Sequence, residues 1–420
     1  MRFTYELDDR SFAEHVWVGP DLEWSPAAEE AARLVGLLAG VSYYKAGAPP
    51  IIDLAATPVR AGEREFLRRY FLGGLGEFAY RNGLDLDDIQ IVGGRDRSDP
   101  ATDARGEAGA LVPFGGGIDS IVTSELVAAH RRSCLFVVNR PGFRFAAIES
   151  AAAATGLPVL RAEREIDSEL IELGRADAVL NGHVPITAVV SALALLVATL
   201  HGYSEVIMSN EWSASRPNLE VDGRSINHQY SKSWAFEQDF RAVIAPAIGA
   251  VDWFSLLRPF SELWVARRFA AMQRYHRVVH SCNKAFFLDP AQRREAWCGR
   301  CDKCCFIDLI LSPYMASEEL AVIFDAAEPL TDPGLLPQFR LLLGLGEGIK
   351  PFECVGDVDE CRTAAAVAAG RPDRASNEVL ARLCAEMGPA VQAAAASAER
   401  LEKPLSDHAI PPDLLAAALG

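Results

Sequence analysis

The stretch LVPFGGGIDSIVTSEL, from Leu111 to Leu126, decides how the rest of the chain is read. Leu111, Val112 and Phe114 make a short apolar strand, and from about Asp119 the pattern turns helical. Between them stand Gly115, Gly116 and Gly117, which lack a Cβ and so let the backbone turn and approach a ligand closely. A helix entrance carries unpaired N–H groups and the positive end of the macrodipole, so an anion is stabilised there. Asp119 is expected to cap the helix and Ser120 to donate to a phosphate oxygen. The alternative is an ordinary glycine-rich strand-to-helix turn, and the adjacent Asp-Ser pair favours phosphate. GGGIDS has no lysine of the GxxxxGK[ST] kind and is not spaced as GxGxxG.

Downstream, strand-like and helix-like segments alternate. Cys134–Asn139, Pro158–Arg161 and Glu205–Asn210 read as buried strands; Phe145–Thr155 and Ala178–Leu200 read as helices. Strands that are apolar throughout and separated by helices predict an α/β fold with a parallel sheet covered on both faces. Ligands in such sheets sit at the carboxyl ends of strands. That places the glycine loop, Asn139-Arg140 and the residues after Met208 around one cleft. The third of these opens a long polar run containing Asn210, Glu211, Ser213, Asn227, His228, Gln229, Tyr230 and Lys232. Its side chains form directed hydrogen bonds, which suits a binding loop better than a plain solvated one.

The 420 residues suffice for two or three domains, and a net charge of −16 argues against a general nucleic-acid binder. The acidic start, MRFTYELDDRSF, does not read as a signal peptide, so a cytoplasmic location is expected. Val184–Leu200 approaches the ~20 residues of a membrane span. Its Pro185, Thr187, Ser191 and Thr199 favour a helix packed in the core.

Before the loop, RFTYELDDRSFAEHVWVG predicts a β-hairpin, and Ala27–Leu38 and Glu65–Arg81 predict helices. Residues 1–100 are read as an N-terminal α+β domain, ended by the polar segment GGRDRSDPATDARGEAG, and residues 101–280 as the nucleotide-binding domain. Lys45 is either a solvated charge or a contact for an anionic ligand. Arg140, Arg144, Arg216 and Arg224 are further candidates for anion contacts.

Residues 281–316 carry Cys298, Cys301 and Cys304 in a CxxCxxC spacing, with Cys282 upstream. Four such thiolates suit a tetrahedral structural Zn²⁺; an iron–sulfur cluster and free thiols are the alternatives. Cys305 is an extra thiol: core, a replacement ligand or a reactive group. Residues 317–420 read as a helical C-terminal region, in which Glu353 and Cys354 have no assigned place.

GGGIDS resembles the SGGxDS loop of the PP-loop ATP pyrophosphatases (adenine nucleotide alpha hydrolase-like fold), with Gly115 where serine is usual. VSYYKAGAPP, GLGEFAYRNGLDL, PFGGGIDS, MSNE with SAS, NHQYSKS, WCGRCDKC and PFECVG follow in an order similar to one family, along nearly the whole chain. It is the ATP-dependent UDP-N-acetylmuramoyl-L-alanyl-L-glutamate epimerase family of peptidoglycan synthesis. The resemblance implies that ATP, with Mg²⁺, adenylates the terminal glutamate, whose L form becomes D while AMP and diphosphate leave. Gly115, Gly116, Gly117, Asp119 and Ser120 would bind ATP; Asn210, Glu211, Ser213, Asn227, Gln229 and Tyr230 would contact the UDP-muramoyl dipeptide. For proton transfer the candidates are His228 and Lys232, then Cys305, with His183 behind them. Another PP-loop enzyme, such as a 7-cyano-7-deazaguanine synthase, shares the loop and the CxxCxxC motif and is the alternative, as is a protein that binds ATP without turnover.

Overall fold

The computed structural model describes residues 1–20, 22–98, 107–287, 291–346 and 348–420. Its centre is a seven-stranded sheet of β1 (Arg2–Leu7), β2 (Arg10–Trp17), β3 (Glu107–Pro113), β4 (Ser133–Asn139), β5 (Val159–Glu165), β6 (Tyr203–Met208) and β7 (Asp252–Ser255). The spatial order is β1-β2-β5-β4-β3-β6-β7. The five strands from β5 to β7 run parallel; four correspond to the apolar segments read from sequence, and β7 is an addition. The hairpin β1–β2 is antiparallel and joins β5 through His15–Glu165, Val16–Arg164 and Trp17–Glu163.

The sheet therefore does not stop at the division drawn from sequence near residue 100: the N-terminal hairpin is its edge. Residues 99–106 of the predicted linker lie outside the described residues. Side chains along each central strand alternate between two cores. Ala110, Val112, Phe114, Leu135, Val137 and Ile207 pack on one face; Leu111, Cys134, Phe136, Val206 and Met208 pack on the other. Period-two alternation in a doubly covered sheet produces this division.

One face is covered by α1 (Pro26–Ala39), α2 (Glu63–Gly74), α3 (Gly76–Asn82), α6 (Ile186–His201) and α7 (Trp234–Ile248). The other carries α4 (Ile118–Ala128), α5 (Ala146–Thr155), α8 (Glu262–Ala270), α9 (Asp302–Leu311), α10 (Val358–Ala369) and the helices that follow. The predicted helix over Glu65–Arg81 is broken at Leu75 into α2 and α3. The one over Ala178–Leu200 starts only at Ile186, because Pro185 is its cap and residues 178–185 form a loop. No helix among the described residues is long and apolar enough to cross a membrane. The apolar stretch of α6 is instead buried, with Ala192, Leu193, Leu196 and Val197 fully covered.

Chain order sets the position of the cleft. From β3 the strands proceed through β4 to β5 on one side, then cross to β6 and β7 on the other. The loops after β3 and β6 leave in opposite directions and open a crevice at the carboxyl end of the sheet.

Candidate active site

The glycine loop lies in this crevice, between β3 and α4. Gly116 has φ +79°, and a Cβ there would stand 2.9 Å from the backbone oxygen of Ala147, so only glycine fits. A Cβ at Gly115 would meet nothing within 4 Å. Asp119 is not the helix cap, contrary to expectation: Gly117 is the cap residue, and the Asp119 side chain caps nothing. Its Oδ1 is buried without a hydrogen-bond partner. Ser120 Oγ donates to the Gly117 carbonyl at 3.0 Å. Ser281, missed in the sequence, rests beside Gly117, 3.4 Å from where a Cβ would be, and its hydroxyl is also buried and unpartnered.

Other unpartnered buried atoms belong to the same ends of the strands: both polar atoms of Asn139 after β4, and Ser209 Oγ and Asn210 Nδ2 after β6. Buried polar atoms are nearly always bonded, so a concentration of exceptions at the mouth of a crevice marks a surface built for a polar ligand. Burial pushes the Asp119 and Glu211 carboxyls up in pKa, while Lys232 draws both down.

The polar run divides into parts that face the cleft and parts that hold the loop. Asn210 is buried and fixed through its backbone N–H to Ser255 Oγ at 2.7 Å. Ser213 is buried in the turn Trp212–Ser215. Glu211 caps that turn, accepting from the Ala214 N–H at 3.1 Å. Gln229 is buried, its Oε1 3.4 Å from Lys232 Nζ. Two expected substrate contacts also help to hold the loop. Asn227 donates to the Ala214 carbonyl at 2.9 Å and accepts from the Gln229 N–H at 2.8 Å. The Tyr230 ring packs against Gly73, where a Cβ would be 2.5 Å away, and edge-on to Phe236. Cys305 is fully buried in the core behind α9, and burial raises its pKa, so the structure removes it from the proton-transfer candidates.

His228 and Lys232 meet partners from distant segments. Lys232 Nζ is 3.1 Å from Cys354 Sγ. His228 Nδ1 bonds Glu77 Oε2, and the imidazole also acts electrostatically on the Cys354 thiol. His183 stacks on His228 with ring centroids 4.0 Å apart. Burial is the largest single influence on Cys354 and opposes its charge, but Lys232, His228 and Lys303 together outweigh it, and the thiol falls to about 6. Burial likewise opposes the His228 imidazolium, yet Cys354 and Glu77 lift it to about 9. His183 is desolvated beside that cation and drops to about 3, so it stays neutral. Near neutral pH the cluster is a thiolate held by an ammonium and an imidazolium, with Glu77 behind the imidazolium. Glu77, His183 and His228 are compact enough to hold a metal, with candidate atoms within 4.8 Å of one another. The direct bond between Glu77 and His228 already occupies atoms that a metal would need. Lys45 binds Asn181 Oδ1 at 2.9 Å and the Gly182 carbonyl at 3.0 Å, steadying the loop that carries His183.

The cysteine knot stands next to this cluster. Its sulfur separations are 4.0 Å for Cys282–Cys301, 3.7 Å for Cys298–Cys304 and 3.4 Å for Cys301–Cys304. A tetrahedron with Zn–S near 2.3 Å has edges of about 3.8 Å, so the four thiols fit one such ion. Lys303, between two of these cysteines, donates to the Cys354 carbonyl at 2.5 Å and ties knot to cluster.

Three of the four arginines considered from sequence have local carboxylate neighbours: Arg144 is near Glu149 at 4.0 Å and Arg216 near Asp357 at 3.5 Å. Arg224 pairs with Asp85 and Asp87 at the rim of a surface cleft of about 790 Å³ that also carries Asp222. An acidic rim of this kind disfavours a polyphosphate.

Residues 1–256 match the MurL N-terminal domain and residues 278–398 the MurL C-terminal domain. Three similar proteins are each named UDP-N-acetyl-alpha-D-muramoyl-L-alanyl-L-glutamate epimerase. The one from Xanthomonas oryzae pv. oryzae is 39% identical over 92% of this chain and 85% of its own length. That from Salinispora tropica is 42% identical over 80% of this chain and 74% of its own. That from a Micromonospora species is 39% identical over 90% and 83%. No solved structure matches the chain. With both domains matched in order and relatives aligned along most of their length, the chain belongs to the MurL family.

Proposed function

We propose that this protein inverts the terminal L-glutamate of UDP-N-acetylmuramoyl-L-alanyl-L-glutamate to D-glutamate, in the formation of peptidoglycan precursors. The names of relatives that align over 80–92% of the chain carry this reading. The crevice supports it chemically, because it sets an anion-binding helix entrance beside a cluster of proton-transfer groups.

The nitrogen of this glutamate is already in an amide, so its Cα–H cannot be acidified through an imine. The neighbouring carboxylate must be changed instead. In our reading the glutamate carboxylate attacks the α-phosphorus of ATP, and diphosphate leaves into the turn Gly115–Gly117. The open backbone there, the start of α4, Ser120 and Ser281 receive it. Asp119, buried with an unpartnered oxygen, fits a contact to Mg²⁺, which when bound would neutralise phosphate charge. Asn210, Glu211, Ser213 and Gln229 line the substrate side. Adenylation removes the carboxylate charge, and the adjacent Cα proton can then be taken by the cluster around His228 and Lys232. Hydrolysis releases the D product and AMP. The four cysteines of the knot would hold a structural Zn²⁺ that anchors α9 and, through Lys303, the Cys354 segment.

Both reactants are cytoplasmic metabolites, so we place the protein in the cytoplasm. The test is to incubate it with ATP, Mg²⁺ and the UDP-muramoyl dipeptide, then follow AMP and the chirality of the glutamate. AMP with D-glutamate is expected. AMP without inversion would return the assignment to another adenylating enzyme of this fold, and neither product would leave a nucleotide-binding protein.

A further inference from the structure

We propose that Cys354 is the thiolate base that removes the Cα proton of the activated glutamate, with Lys232 and His228 holding it in position and Glu77 supporting His228. The assignment rests on the adenylation reading above.

Three observations carry it. Cys354 Sγ lies 3.1 Å from Lys232 Nζ, and the His228 imidazolium also acts on it, so two cationic side chains favour one thiolate. The His228 ring is held through its Nδ1 by Glu77, which orients it and balances its charge. Lys303 fixes the Cys354 carbonyl from the cysteine knot, setting the sulfur's backbone against a rigid element. Lys232 also acts electrostatically on Asp119 of the glycine loop and Glu211 of the polar run, so the sulfur and the adenylate position share one cation. Cys354 is half-buried, unlike Cys305, Cys361 and Cys134, which are enclosed in the core.

In the step, the thiolate takes the Cα proton and becomes a thiol, and the C–H electron pair moves into the adenylated carbonyl as an enolate. Negative charge thus passes from sulfur to the enolate oxygen while Lys232 stays beside both. A proton from water on the opposite face restores Cα–H in the D configuration. Water then cleaves the anhydride to AMP and product, and the thiol returns its proton to solvent.

The experiment compares the wild type with Cys354→Ala and Cys354→Asp, each zinc-loaded and folded by circular dichroism, in three assays. Exchange of labelled diphosphate into ATP reports adenylation; deuterium entry at Cα in D₂O reports proton removal; mass spectrometry of acid-quenched enzyme reports covalent chemistry. For Cys354→Ala we expect diphosphate exchange within a few-fold of wild type and deuterium entry reduced at least ~10²-fold, the usual scale for loss of a general base. Cys354→Asp, which puts a carboxylate base there, is expected to recover part of it. Wild-type deuterium entry in Cys354→Ala would overturn the assignment. So would a substrate adduct on Cys354, which makes it a nucleophile, or a second bound metal lost with His183→Ala. If the wild type itself shows no diphosphate exchange, the adenylation reading fails, a different result from any of these.

Discussion

The two sulfur-containing sites are neighbours and yet are built in opposite ways. The knot takes Cys282, Cys298, Cys301 and Cys304 from one short segment, and its thiols face one another at 3.4–4.0 Å. The cluster takes Glu77, His183, His228, Lys232 and Cys354 from four regions of the chain, and its thiol faces cations. A set of thiols facing each other is suited to a metal, whereas a lone thiol beside an ammonium and an imidazolium becomes a reactive anion. Environment, not residue type, separates a structural cysteine from a chemical one.

The largest expected effect breaks the knot. Structural zinc contributes about 10–16 kcal/mol in small peptides, comparable with the ~5–15 kcal/mol that holds a whole domain. The double variant Cys298→Ser, Cys301→Ser should therefore yield little folded protein, and chelation should lower the melting temperature of the wild type. Cys354→Ala should melt within about 2–3 °C of wild type, since it removes no metal ligand. Equal melting losses for the two variants would erase the distinction between the sites.

Next is the loop. Gly116→Ala forces φ +79° on a residue with a Cβ and presses it to 2.9 Å from a backbone oxygen. Diphosphate exchange should fall by about 10²-fold, in line with a misplaced transition-state contact, while the melting temperature falls only modestly.

A smaller effect sharpens the cluster. The active state needs Cys354 as thiolate and His228 as imidazolium, in a setting that also includes Lys232, Lys303, His183, Asp119 and Glu211. The thiolate is lost as pH falls through about 6, and the imidazolium as pH rises through about 9. The rate of Cα exchange should be bell-shaped between them. Glu77→Gln keeps a hydrogen bond but removes the charge, so the alkaline limb should move to lower pH, with about a 10-fold loss at pH 8.5. An unmoved limb would separate Glu77 from the titration. The smallest effect is Gly115→Ser: space there is open, and the KM for ATP should change by less than about 3-fold.

The chain by itself determined the parallel sheet, since apolar strands of period two joined by helices have few other ways to bury both faces. It also determined the loop and the knot, because glycines and CxxCxxC thiols act through neighbours in sequence. The capping role read for Asp119 was wrong for a local reason: the helix starts at Ile118, so the cap falls two residues earlier, on Gly117. The rest was tertiary. The N-terminal hairpin reads as a separate unit until its edge is seen hydrogen-bonded to β5. That the Tyr230 ring packs on Gly73 and that Asn227 bonds the Ala214 carbonyl is visible only in the fold. Cys354 carried no pattern at all. Its chemistry comes from Lys232, His228 and Lys303, brought to it only when the two faces of the sheet are covered and the C-terminal segment closes over the crevice. Spacing records what neighbouring residues do together, and a charge field assembled from distant segments exists only in the folded protein.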